Sequence, residues 1–108
     1  MSLHTILQQS FNEKNAYLFS SLFHDNIVGI NLHDDLTAFS SKTELLKITH
    51  NLFKINPDLS CQITQHYTLD PFFILHLYFS NYVCGATRNT IWTCKIENDL
   101  ISKLWFTH

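Results

Sequence analysis

Along the first half of the chain the apolar positions fall mostly at helical spacing, and along the second half at strand spacing. Ser2 can cap a first helix, with Leu3, Ile6, Leu7 and Phe11 on one face. Asn12-Glu13-Lys14-Asn15 interrupts it. Asn15 can cap a second, short helix carrying Ala16, Phe19, Leu22 and Phe23, which His24-Asp25-Asn26 ends. Ile27–Leu32 reads as a strand with Gly29 inside it, His33-Asp34-Asp35 as a turn, and Leu36–Phe39 as a short return strand. Ser41-Lys42-Thr43-Glu44 is a capping box, in which the serine hydroxyl accepts from a backbone N–H three residues on and the glutamate reaches back. The helix it opens places Leu45, Ile48, Thr49, Leu52 and Phe53 on one face, and Asn56-Pro57-Asp58 stops it. The rest is strands: Ser60–Leu69, Phe72–Cys84, Thr87–Glu97 and Leu100–Thr107, with turns at Gly85-Ala86 and Asn98-Asp99.

Pro71–Cys84 organises the whole, and its composition predicts a long central strand covered on both faces. Its odd positions, Phe73, Leu75, Leu77, Phe79 and Val83, are apolar. Its even positions, Phe72, Ile74, His76, Tyr78 and Tyr82, are amphipathic. An even-length hairpin loop at Gly85-Ala86 pairs Phe79 with Trp92, Leu77 with Cys94, Leu75 with Ile96 and Val83 with Arg88, all on the face that meets the helices. The other face pairs His76 with Lys95, Tyr78 with Thr93 and Tyr82 with Asn89. An exposed patch of that composition suits a subunit interface, so a homodimer through the outer sheet face is expected; an ordinary core strand under extra loops is the alternative. Helices segregated to one face of such a sheet make an α+β sandwich.

Composition narrows the picture further. The 108 residues allow one domain, 1–108, and 45% hydrophobic with 15% charged residues is a folded composition. The net charge is −2 with a single arginine, Arg88, so no basic stripe for nucleic acid exists. No run of 18 apolar residues reaches across a membrane, and no basic stretch followed by an apolar core marks a signal peptide. Cys61, Cys84 and Cys94 are odd in number, form no C-x-x-C and fall in predicted strands, which fits buried, reduced thiols in a cytoplasmic protein. The seven histidines are scattered without metal-ligand spacing, so neither a metal nor another cofactor is expected.

Two anchors carry a family resemblance. Leu22-Phe23-His24-Asp25-Asn26 resembles the L-F-x-D-D step from helix to strand in the nuclear transport factor 2-like superfamily. Ile101-Ser102-Lys103-Leu104-Trp105-Phe106 resembles the I-x-x-x-W-x-F last strand of its SnoaL-like members, and Asn56-Pro57-Asp58 resembles their pre-strand P-D. The resemblance covers the whole chain. It implies a cystatin-like cone, a curved antiparallel or mixed sheet wrapped around three helices of the N-terminal half, with a pocket inside. Members often dimerise through the outer sheet face. They include ketosteroid isomerases, polyketide cyclases, epoxide hydrolases, dehydratases and non-catalytic modules, so fold does not give function. Aligned on Phe23 and Ile96, the isomerases' helix-one tyrosine falls at Leu7, their base at Asn31 and their oxyanion-hole acid at Trp92. None of these replacements can perform the original role.

The expected function is therefore the binding of a small, mostly apolar molecule in the cone, without ketosteroid isomerase chemistry. The alternatives are an isomerase, cyclase or dehydratase acting on a small hydrophobic substrate, and a non-catalytic association module. The expected ligand-binding residues are Phe11, Asn31, Phe79, Arg88, Trp92 and Trp105. Trp105 faces inward if the Asn98-Asp99 turn has two residues; a three-residue loop sends Leu104 and Phe106 inward instead. Gln65 and Tyr67 either point into the pocket or simply pack. The catalytic candidates are His33 and Asp34, in a turn near the expected mouth; a solvated turn is the other reading.

Overall fold

The computed structural model describes residues 2–82 and 85–107. In chain order these form α1 (Leu3–Asn12), α2 (Ala16–Ser20), β1 (Phe23–Asn31), β2 (Leu36–Phe39), α3 (Lys42–Ile55), β3 (Ser60–Leu69), β4 (Phe72–Ser80), β5 (Arg88–Glu97) and β6 (Leu100–Phe106). Local chemistry sets the helix starts. Ser41, in extended backbone, accepts from the Glu44 N–H at 3.1 Å, and the Glu44 carboxylate reaches back one residue further than a standard capping box, to the Ser40 N–H at 3.2 Å. Asn15 caps α2 by accepting from the Leu18 N–H at 3.0 Å. Ser2 makes no such cap; its hydroxyl bonds that of Thr5 instead, at 2.8 Å.

The second helix is shorter than its apolar spacing predicts. Phe23 and His24-Asp25-Asn26 belong to β1, because Phe23 pairs with Ile101 of β6 and the Ile101 N–H bonds the Leu22 carbonyl at 2.8 Å. Long-range pairing overrides the local helical pattern there.

The six strands form one open, mixed sheet in the order β2-β1-β6-β5-β4-β3, with β1 and β6 parallel and the other neighbours antiparallel. Its edges, β2 and β3, stay apart, so the sheet is not curled shut. The expected central strand is β4, which stands second from one edge; β6 and β5 hold the centre. On the β3 edge, α1 supplies the missing partners. The Asn12 carboxamide donates to the Cys61 carbonyl at 3.1 Å and accepts from the Cys61 N–H at 2.8 Å, and Gln8 accepts from the Ile63 N–H at 2.8 Å. Two side chains thus stand in for an adjoining strand and blunt an edge that would otherwise be open to pairing.

Two register details differ from expectation. Between β4 and β5, Phe79 pairs with Arg88, Leu77 with Thr90, Leu75 with Trp92 and Phe73 with Cys94, while His76 lies opposite Ile91 and Tyr78 opposite Asn89. The slip moves the partner of Phe79 from Trp92 to Arg88. It is an even number of residues, so every side chain keeps its face. The cause is the connection. β4 ends at Ser80, Asn81 takes φ 56°, and the Tyr82 N–H bonds the Ala86 carbonyl, so no tight turn forms at Gly85-Ala86. Val83 and Cys84 lie outside the described residues.

The second detail concerns β6. The Asn98-Asp99 turn has two residues, both left-handed (φ 52° and 65°), the geometry that matches strand twist in a tight hairpin. Ser102 then bulges out: Ile96 pairs with Ile101, but Lys95 pairs with Lys103. The bulge turns Leu104 and Phe106 inward and sets Trp105 opposite Thr93 on the outer face.

The core lies between the helices and the inner face, with Leu7, Phe23, Ile27, Leu59, Leu75, Leu77, Cys94 and Ile101 fully buried. Cys61 and Cys94 are free, buried thiols, and burial pushes both up to about 12, so they stay protonated and unreactive.

Candidate functional site

Among the described residues, a space between helices and sheet is left unfilled. It is a cavity of about 210 Å³. The inner face of the sheet contributes Phe79, Thr90, Trp92, Leu104 and Phe106; α3 contributes Leu45, Ile48, Thr49 and Leu52; Phe11, Phe19 and Phe39 close the remaining sides. Tyr82, Arg88 and Thr107 complete the lining.

Phe11 is the hub of the aromatic group beneath the cavity. It is 2% exposed, and its ring lies 5.0 Å from Phe19, 5.3 Å from Phe79, 5.4 Å from Phe53 and 6.0 Å from Trp92. Most of these contacts are tilted or edge-on, as ring quadrupoles prefer. Trp92 is only half-buried, with Phe19 at 6.1 Å and Phe79 at 6.5 Å. The threonine hydroxyls around the cavity are already employed. Thr49 donates to the Leu45 carbonyl at 2.7 Å, Thr90 donates to the Thr107 carbonyl, and the Thr107 hydroxyl accepts from the Ile91 N–H at 3.1 Å. Among the described lining residues Arg88 is the one charged side chain, and its guanidinium lies over the Tyr82 ring, 5.0 Å from the centroid.

Of the residues singled out in the sequence, Phe11, Phe79, Arg88 and Trp92 come together here. Asn31 pairs with Phe106 at the end of β1, outside the lining, and its side-chain oxygen accepts from the His33 N–H at 2.9 Å. Trp105 lies on the other side of the sheet, 6.2 Å from Phe72 and under the Lys103 ammonium. Gln65 and Tyr67 also lie away from the cavity; Tyr67 is exposed and donates to Gln65 at 2.9 Å. His33 and Asp34 sit in an exposed turn, where Asp34 accepts from the Leu36 N–H at 3.0 Å. No substrate-sized space adjoins them among the described cavities.

Sequence reasoning missed Phe39, Phe19, Leu104, Phe106 and the α3 face as cavity walls. One signal was present. A glycine inside a strand marks a close approach, and a Cβ built on Gly29 would lie 2.2 Å from the Phe39 ring. Phe39 therefore rests on Gly29 and stacks along Phe106 at 6.5 Å.

A histidine pair ties α1 to β3. The His4 and His66 rings stack at 3.9 Å, 16° from parallel, with Phe73 6.0 Å from His66. Partial burial, and then the His66 charge, hold His4 below the ordinary 6.5. A lowered histidine pKa means that the unfolded chain binds more protons. Stability is therefore full above about pH 6.5 and falls as the pH drops toward the folded value. The difference in unfolding midpoint between pH 7.5 and pH 5 is expected to shrink in His4→Gln. An unchanged difference would contradict the coupling. Among the described residues no group of three or more His, Cys, Asp or Glu side chains is arranged to hold a metal ion, and no helix is long and apolar enough to cross a membrane.

No family model and no curated protein matches the sequence. Solved structures do match. An uncharacterised cystatin-fold protein from Novosphingobium aromaticivorans superposes with a TM-score of 0.84 at 12% identity, covering 97% of this chain and 94% of that one. A hypothetical protein with a ketosteroid isomerase-like fold from Catenulispora acidiphila, solved with trimethylamine, gives 0.82 at 10% identity over 97% of this chain and 83% of its own. A nuclear transport factor 2-like protein of unknown function from Cytophaga hutchinsonii gives 0.77 at 10% identity over 96% and 84%. Identities this low establish the fold alone.

Proposed function

We propose that this chain, which has the cystatin-like fold of the nuclear transport factor 2-like proteins, binds a small, mostly apolar molecule in the cavity between α3 and the sheet. The observation that carries the reading is the lining itself: aromatic and aliphatic walls, threonine hydroxyls tied to backbone groups, and a single charged side chain. Ligand sites are typically of this kind, apolar with a few placed polar groups. A ring compound fits the aromatic walls. Toluene is expected to bind the wild type and to lose affinity in Leu104→Phe, which fills the space; failure of toluene to bind at all would contradict the reading.

Ketosteroid isomerase chemistry is not part of the proposal. Leu7 is fully buried and has no donor, Asn31 is no base and serves a turn, and Trp92 offers only an indole N–H. No turnover of a 5-ene-3-ketosteroid is expected, and turnover abolished by Asn31→Ala would overturn this. The alternative of an isomerase, cyclase or dehydratase using His33 with Asp34 draws no support from that exposed turn.

The same reading takes 1–108 as one domain in a cytoplasmic homodimer, without nucleic-acid or membrane partners. The buried, protonated thiols suit a reducing compartment. The outer sheet face supports the dimer: Tyr67, Leu69 and Ile91 are exposed there beside half-buried Phe72, Ile74, Tyr78 and Trp105. Tyr82, expected on this face, instead turns to the cavity because β4 ends before it. Sedimentation at micromolar concentration is expected to show a dimer; a lone 12.7 kDa species would refute it.

A further inference from the structure

We infer that Phe39 sets the size of what this cavity takes: its ring, lying in the room that Gly29 leaves on the sheet, closes the β2 end and restricts the occupant to a molecule with one ring. The inference rests on the cavity being a binding site and adds the size class of the ligand and the residue that determines it.

Three local features place this ring. Ala38 bulges out of β2, since Gly29 pairs with Phe39 but Ile30 with Thr37. A bulge re-aims a side chain, and bulges recur beside functional sites. Here Leu36, Thr37 and Ala38 are exposed, whereas Phe39 turns inward and is 6% exposed. Gly29 then supplies the room. Its backbone is not left-handed, so the glycine is needed for space and not for its conformation; a Cβ there would lie 2.2 Å from the ring. Directly after Phe39, the Ser40 N–H bonds the Glu44 carboxylate at 3.2 Å and the Ser41 cap starts α3. The ring is thus fixed by strand pairing on one side and by a helix start on the other.

Its position decides its effect. On the side away from β2, Gly29 pairs with Leu104, and Leu104 with Cys94. The Phe39 ring fills the place that a glycine leaves bare in this inner row, and it lies parallel to Phe106. Phe39, Leu104 and Phe106 all wall the cavity. The open side lies along α3, where Ile48 lines the cavity and is 47% exposed.

Size follows from this closure. A dry cavity of about 150 Å³ accepts benzene, and this one measures about 210 Å³. One substituted ring fits. A second fused ring needs room in the direction that Phe39 blocks. Shortening residue 39 extends the cavity over Gly29, where no Cβ stands.

The test is a heteronuclear NMR titration with toluene and 1-methylnaphthalene on wild type, Phe39→Leu and Phe39→Ala. Wild type is expected to bind toluene roughly 10-fold tighter than 1-methylnaphthalene, the scale of forcing extra carbons into a filled space. Phe39→Ala is expected to reverse that order, and Phe39→Leu, the milder change, to shift the ratio the same way by less. The ratio of the two affinities is the readout, because a purely structural loss weakens both ligands alike. Equal or tighter binding of 1-methylnaphthalene to wild type, or a ratio that Phe39→Leu leaves unchanged, would overturn the inference and leave the cavity reading standing. Failure of toluene to bind wild type would overturn the cavity reading, and the inference with it.

Discussion

Phe11→Ala is expected to destabilise the fold by about 3–5 kcal/mol, the usual cost of truncating a buried aromatic, and Trp92→Ala by clearly less, about 1–2 kcal/mol. The two rings are neighbours, 6.0 Å apart, yet their surroundings differ. Phe11 is 2% exposed and touches rings from α2, α3, β4 and β5. Its removal leaves a void that those neighbours, fixed in separate elements, cannot collapse to fill. Trp92 is half-buried and already faces empty space, where a side chain has no partner atoms to lose. Urea denaturation of both variants gives the comparison. If Trp92→Ala costs as much as Phe11→Ala, the space beside Trp92 is filled and the binding reading fails.

Gly29→Ala is expected to cost about 1–3 kcal/mol, the range for forcing an extra methyl into a packed core. The added Cβ would fall 2.2, 2.4 and 2.5 Å from three atoms of the Phe39 ring, distances that real contacts do not show. Phe39 cannot turn aside freely, since it is 6% exposed and lies parallel to Phe106 at 6.5 Å. The backbone is not the source of the cost; the ring is. Phe39→Leu in the Gly29→Ala background should therefore recover part of the loss, giving a non-additive cycle. Both rings wall the cavity, so Gly29→Ala should also change the binding of a small hydrophobic probe. Wild-type stability in Gly29→Ala, or strict additivity in the cycle, would contradict this packing.

The contrast between these positions shows what the sequence could and could not convey. The bounds of β2 and β3 and the cap of α3 were legible because period-two runs and a capping box are local signals. Which face of β4 met the helices was also legible, since parity survives any even slip in register. That is why Phe11, Phe79 and Trp92 were found together although the expected partner of Phe79 was wrong. The slip itself depends on β4 ending at Ser80 and on the left-handed Asn81, neither of which the turn-like composition of Gly85-Ala86 marks. The Ser102 bulge left no mark in the alternation of Ile101–Phe106, and it alone decides that Leu104 and Phe106 face in while Trp105 faces out. Phe23 fits a helical stripe as well as a strand, and only its distant partner Ile101 settles the matter. Asn31 was placed by strand parity, which says nothing of the turn that employs its side chain.

The most direct test of ligand binding in this cavity is a heteronuclear NMR titration of the wild-type protein with toluene. Saturable shifts are expected at the Trp92 indole N–H and at the amides of Phe79, Thr90 and Leu104, with the Trp105 indole unmoved on the opposite face. Shifts confined to Trp105 and the outer strands, or no saturable shift at all, would contradict it.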